Sequence, residues 1–294
     1  MQVGMTLPVM EPDLPSDLAG ILEAWSRTID AGPFSSLCFG ERMAFDNPDA
    51  STLLGAVAAW TSRVRVTTTV VVPQLHHPVL LAKSLATADQ LCRGRLSVGV
   101  GVGGRDEDYR VVDADLGTKR MGVMADAVAT MRAVWAGERV ADAVRPVGPP
   151  PVRDGGPEIL VGTMGERTIR HAAGWADGLA GVTLAADAAE VEALFRLARD
   201  AWAEVGRAEP RLTTSFWFAV GDDPRGQVHR HLRHYMNWLP PDLVDALAAT
   251  AGFAGTPAEL RDHLKRFEDT GCDEVHLIPT SSDLSQVERI AEIL

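Results

Sequence analysis

The turn Gly162, Thr163, Met164, Gly165 joins EILVGT to GERTIRHAAG, a strand-like run to a helix-like one. Backbone N–H groups and the positive end of a helix converge there, and Thr163 adds a hydroxyl. Such a turn can cradle a phosphate, with glycine allowing close approach; equally, the glycines can serve only to make a tight strand-to-helix connection. Arg167 could pair with the anion or face water. A second glycine set, Gly99, Gly101, Gly103 and Gly104, occupies four of six positions in GVGVGG. Glycine weakens a strand, so either something flat lies against the main chain or the chain is packed inside a narrow barrel. Beyond it, Arg105 to Arg110 (RDEDYR) could form a lid or a solvated charged loop, with Tyr109 and Arg110 expected to fold inward. Glu41 and Arg42 follow a short apolar run; they could fix each other, or Glu41 could pair with Lys83. His76 and His77 precede Pro78, and either could hydrogen-bond a substrate or cap the next helix. Without a third ligand at suitable spacing they do not read as a metal site. His229, His231 and His234 do not share a helical face and are expected at an entrance or in solvent.

The elements that must position these groups alternate regularly. From Val64 to Gly104, VRVTTTVVVPQL, HHPVLLAKSLATADQLCRG and RLSVGVGVGG read as one βαβ unit. Its first strand lacks polar alternation, as a parallel strand covered on both faces should. Leu80, Leu81, Leu85, Ala88 and Leu91 are expected to form the apolar stripe of its helix. Further strands are predicted over 2–9, 36–40, 158–163, 175–181, 211–220 and 274–280. Helices are predicted over 14–30, 49–60, 119–136, 185–205 and 284–294, with another opened by Thr256, Pro257 and Glu259. Met121, Met124, Val128, Met131 and Trp135 mark the buried side of the helix over 119–136.

Eight strands alternating with helices predict an α/β chain folded as a (β/α)₈ TIM barrel. It would be one domain over 1–294, with a surface excursion at about 137–157 and a helical insertion at about 223–250. No G-x-G-x-x-G follows the first strand, which disfavours an open dinucleotide-binding sheet. In a barrel, the ligand site belongs at the C-terminal ends of the strands.

With 28 basic and 40 acidic residues the formal charge is −12, which disfavours nucleic-acid partners. Cys38, Cys92 and Cys272 are odd in number and far apart, reading as reduced core residues of a cytoplasmic protein. The N-terminus is too acidic and short for a signal peptide, and no apolar run suggests a membrane span.

The βαβ passage beginning at Thr61, followed by MRAVWAG, EILVGTMGERTIRHAAGWADG and GTPAEL, resembles the bacterial luciferase-like monooxygenase family across essentially the whole chain. That family includes flavin-dependent alkanal monooxygenases and reductases using the deazaflavin F420. The resemblance implies a (β/α)₈ barrel, often dimeric, whose cofactor ring crosses the strand ends against a non-prolyl cis peptide ending strand three. It implies that Thr69, Val70, Val71 and Val72 border the ring, with Gly99, Gly101, Gly103 and Tyr109 around its flank and the phosphate on Gly162, Thr163, Met164 and Gly165. Where luciferase has a glutamate and two histidines after strand two, this chain has Glu41, Arg42 and Met43. The family's phosphate-binding arginine on strand four is replaced here by the glycine run.

The resulting expectation is a monooxygenase using reduced FMN and O₂ on a small apolar or aromatic substrate. Catalytic candidates are Glu41, Arg42, His76 and Arg105, the last three stabilising negative charge. Its partners would be a flavin reductase or NAD(P)H as electron source, and a second copy in a homodimer. The alternatives are F420-dependent hydride transfer and a non-catalytic flavin-binding barrel.

Overall fold

A computed structural model describes residues 1–117 and 120–294. Eight parallel strands close into a ring: β1 (Gln2–Thr6), β2 (Ser36–Phe39), β3 (Arg65–Val71), β4 (Leu96–Gly101), β5 (Glu158–Gly162), β6 (Gly178–Ala180), β7 (Arg211–Val220) and, after a ninth short strand, β9 (Glu274–Pro279). Each pairs in parallel with its neighbours, and β9 returns to both β7 and β1. The chain is therefore a (β/α)₈ barrel, as its strand pattern predicts.

The ninth strand, β8 (Phe253–Gly255), has no counterpart in the sequence reading. Three-residue β6 pairs only with Arg211–Thr213, so the far end of ten-residue β7 would keep a bare edge; β8 covers it along Phe218–Val220. A strand this short carries no usable alternation. β1 also stops earlier than expected, before Pro8, which has no N–H for a ladder.

The ring is wrapped by α1 (Leu18–Ala31), α2 (Ala50–Trp60), α3 (Pro78–Leu91), α5 (Arg120–Trp135), α6 (Glu166–Ala172), α7 (Ala188–Glu204), α10 (Pro257–Glu268) and α11 (Ser285–Ala291). A short α4 (Asp106–Arg110) and the pair α8 (Pro224–Tyr235) and α9 (Pro241–Ala248) lie among them in chain order. Side chains of Asp17, Asp49, Asp187, Asp223 and Thr256 accept from first-turn N–H groups of α1, α2, α7, α8 and α10. Each such cap contributes about 1 kcal/mol. Met124, Val128, Met131 and Trp135 form the buried side of α5 as expected, Met121 is only half-buried, and residue 119 lies outside the described residues. On α3 the stripe is narrower than predicted: Leu81, Leu85 and Ala88 are buried, but Leu80 and Leu91 face outward. Cys38, Cys92 and Cys272 are free and buried. The segment 137–157 has no regular element, and its carbonyls at Gly148 and Pro150 accept bonds from Lys83 and Gln90 of α3.

Inside the ring, the N-terminal ends of the strands are closed by charge rather than hydrocarbon. Arg65 donates to Ser97, Ser97 donates to Glu158, and Arg211 pairs with Glu274. Burial opposes ionisation of Glu274, but His276, Ser35 and Ser36 hold its carboxyl well below the usual range. This filled floor leaves the opposite end of the barrel as the open one.

Gly99 sits where its missing Cβ would lie 2.2 Å from the Thr68 carbonyl oxygen, a backbone atom that cannot rotate aside. Gly99→Ala is expected to lower stability by about 1–3 kcal/mol or more, read from the urea midpoint. Gly104→Ala, with no atom within 4 Å of the added methyl, is expected to leave the midpoint nearly unchanged.

Candidate active site in the barrel mouth

β3 delivers the feature that shapes the open end. Its Thr69–Val70 peptide is cis, as the resemblance implies, and Val70 projects across the mouth. A Cβ on Gly101 or Gly162 would lie 2.6 or 2.7 Å from a Val70 methyl, and one on Gly40 would lie 2.9 Å from the Thr69 oxygen. The glycines of β4 and β5 thus make room for Val70. The two readings of the glycine run both apply, at different positions: Gly99 serves internal packing, whereas Gly101 and Gly103 also line open space.

The ledge of Thr69 and Val70 divides the mouth in two. Outside it runs an open groove of about 460 Å³, extending from Gly103 and Gly104 along β5 to Gly162, Thr163 and Met164. Behind it lies a smaller chamber of about 150 Å³ reaching β1 and β2. Thr69, Val70, Gly103, Arg105, Tyr235 and Ile278 border both. The Gly162–Gly165 turn is uncovered, Met164 and Gly165 being exposed and the Gly165 N–H bonded to the Thr163 hydroxyl. A groove of this size with mainly apolar walls and a bare glycine turn at one end fits a planar ring with a phosphate tail.

The two hollows differ in charge. The ionisable groups bordering the groove, apart from Tyr235, are Arg105 and His276. Burial opposes charge on His276, but the Cys38 sulfur and the Glu274 carboxylate beside it push its pKa up to about 10. The chamber instead meets Glu11, Glu41 and His231 as well as Arg105.

Several predicted site residues have partners other than those expected. Glu41 pairs with neither Arg42 nor Lys83. Its carboxylate contacts His76 Nε2 at 2.8 Å and accepts the Val72 N–H at 2.8 Å. Lys83 reaches Gly148 on the outside. His77 is the residue before α3 but makes no side-chain cap.

Arg42 is buried 3.7 Å from Asp108, with its guanidinium 4.2 Å from the Phe45 ring centroid and 5.0 Å from that of Trp238. It borders neither hollow. Burial and the neighbouring Arg105 lower its pKa while Asp108 opposes them. Arg105 stacks 4.0 Å from the Trp238 ring centroid and 4.7 Å from that of Tyr235. Asp108, on the short α4, also accepts from the Met43 and Ala44 N–H groups. The charged run after β4 is therefore partly helical, and it clamps the loop after β2. Tyr109 is buried with its hydroxyl on the Val102 carbonyl, lining neither hollow, and Arg110 is exposed rather than inward. Val71 and Gly99 lie off both walls, whereas Val72 lines the chamber.

The sequence reading drew no site residue from the chain after β7. Trp217 and Ala219 of β7, Val228 and Leu232 of α8 and Val244 and Ala248 of α9 share an apolar cluster that seats this helical pair on the mouth. It brings His231, Tyr235 and Trp238 over the hollows. Of the two places expected for it, entrance or solvent, His231 takes the first: it is buried, borders the chamber and contacts Glu11 through Nδ1. His231 stacks on Tyr235 with ring centroids 5.6 Å apart. The aromatic and histidine residues of HRHLRHYMNW were the available signal. Among the described residues, no group of His, Cys, Asp and Glu could hold a metal ion, and no helix is long and apolar enough to cross a membrane.

Burial disfavours the charged form of His76, yet the Glu41 hydrogen bond and charge, with Asp49, raise its pKa. The stabilisation from this pair is therefore complete below the unfolded pKa of about 6.5 and is lost as pH rises through the raised folded value. In Glu41→Gln the burial effect loses its main opponent. The His76 ring protons, followed by NMR, are expected to titrate above about 6.5 in the wild type and at clearly lower pH in the variant.

Comparison with known proteins agrees with this architecture. A sequence profile described as luciferase-like monooxygenase matches residues 5–274. An uncharacterized protein of Mycobacterium tuberculosis is 37% identical over 162 residues, which is 52% of this chain and 56% of that protein. An F420-dependent glucose-6-phosphate dehydrogenase of Beutenbergia cavernae is 40% identical over 98 residues, covering 32% of this chain and 28% of that enzyme. The chain thus spans little more than half the length of the first of these relatives and less of the second. A crystal structure of an F420-dependent secondary alcohol dehydrogenase superposes with a TM-score of 0.80 at 19% identity, covering 100% of this chain and 98% of that one, a likeness of fold. With the profile match extending over nearly the whole barrel, the chain belongs to the luciferase-like monooxygenase family.

Proposed function

We propose that the protein is an F420-dependent oxidoreductase that moves a hydride between the deazaflavin and a small carbonyl or alcohol substrate. The observation that carries this reading is the chamber behind Val70, small and bordered by Glu11, Glu41, Arg105 and His231. Interconverting a carbonyl and an alcohol moves a proton with every hydride, and this chamber has groups able to give and take one. Its remaining walls, with Leu7, Val9, Met10, Val72 and Ile278, are largely apolar and suit the hydrocarbon part of such a substrate. The F420-dependent relative adds support, and the reading displaces the expectation of FMN and O₂ as the leading one.

Bound F420 would supply or accept the hydride. The turn at Gly162, Thr163, Met164 and Gly165 would hold its phosphate, and Val70 would back its ring. Arg105 and His276 place positive charge beside the groove, favouring an anionic ligand there. Tyr235 and Trp238 cover the junction with the chamber and exclude water from it. Glu41, braced by His76 and the Val72 N–H, fixes the chamber wall.

Anaerobic fluorescence titration should show F420 binding at least about tenfold tighter than FMN, a difference of about 1.4 kcal/mol. Reduced F420 should then be consumed with a ketone such as cyclohexanone, without uptake of oxygen. Binding of FMN alone, with oxygen consumed and an oxygenated product formed, would restore the monooxygenase reading instead.

A further inference from the structure

The geometry points to His231, oriented by Glu11, as the proton donor and acceptor of the chamber. Three observations place it there. His231 is a buried imidazole bordering the chamber, and Glu11 borders the same chamber beside it. Its Nδ1 contacts the Glu11 carboxylate across 220 residues of chain, which fixes the proton on that nitrogen. Its Nε2 is buried with no protein partner, a hydrogen-bonding capacity the protein leaves unspent on a residue that borders the chamber.

The other candidates are committed elsewhere. Arg42, in the loop after β2, is clamped by Asp108 and aromatic rings away from both hollows. His76 is held by Glu41 and does not border the chamber. The helical pair after β7 thus brings to the mouth an imidazole that the loop after β2 lacks.

The proposal rests on the hydride-transfer reading above. In reduction, the carbonyl carbon gains a hydride, two electrons and a proton, from reduced F420. The carbonyl oxygen gains the proton of the His231 imidazolium Nε2, the C=O π bond breaks, and alcohol and neutral imidazole result. In the other direction Nε2 takes the hydroxyl proton as the hydride leaves for oxidised F420. Glu11 acts as a positioning residue: it keeps Nδ1 protonated and Nε2 the exchanging atom.

The test uses the full chain labelled with ¹⁵N-histidine, as wild type, His231→Gln and Glu11→Gln. In the cofactor-free wild type, the imidazole whose signals vanish in His231→Gln should carry its neutral-form proton on Nδ1, and Glu11→Gln should abolish that preference. With F420 bound at unchanged affinity and melting temperature unchanged, cyclohexanone reduction should fall about a hundredfold or more in kcat for His231→Gln, with KM little altered. Glu11→Gln should lose less, about tenfold. A wild-type His231 with its proton on Nε2, or a His231→Gln variant as fast as wild type, would overturn the proposal. A folded wild type that binds no F420 would instead overturn the cofactor reading, and the tautomer result would still decide the role of Glu11.

Discussion

The packing of the Val70 side chain against Gly101 and Gly162 is the contact on which the arrangement of the mouth depends. Neither glycine could carry a methyl without meeting Val70, so β4 and β5 can close around β3 only because those positions are bare. The space that results is asymmetric. A broad groove runs outward over the glycine strands, and a small chamber lies inward against β1 and β2. A flat ring and a small substrate can therefore meet at one boundary while occupying different compartments.

Charge follows the same division. The floor of the barrel is a network of arginine, glutamate, serine and histidine side chains, buried where hydrocarbon would ordinarily be. Such groups favour the fold only while each has its partner, since removing one leaves the other unpaired in a low-dielectric interior. His276 belongs to this network and also borders the groove, so the polar chain that plugs the barrel reaches up to the groove wall. The carboxylates that border the hollows, Glu11 and Glu41, lie in the chamber, and each is paired with a histidine.

Much of the scaffold was legible in the sequence because burial on both faces leaves continuous β-branched runs, as in VRVTTTVVV, and because caps such as Asp49 and Thr256 announce helices locally. The hollows were less legible. GVGVGG signalled close approach of something, but only the three-dimensional path of β3 shows that Gly99 answers to a backbone carbonyl and Gly101 to a valine. Side-chain partnerships were least accessible, since Glu11 with His231 and Arg42 with Asp108 join segments far apart in the chain. Helical spacing alone leaves His231 at an entrance or in solvent. What buries it is the seating of α8 and α9 on Trp217, a tertiary contact with no local signature. Likewise, β8 exists because β6 is too short for β7, a relation between strands rather than a property of either.

On the proposed function, the ledge formed by Thr69 and Val70 separates a cofactor groove from a substrate chamber. A crystal structure of the protein soaked with F420 tests it most directly. The expected density has the phosphate at the Gly162–Gly165 turn, the deazaflavin ring against Val70 with Arg105 beside it, and the chamber bordered by Glu11 and His231 still open behind the ledge. A ring lodged in that chamber, or a phosphate bound away from the turn, would contradict it.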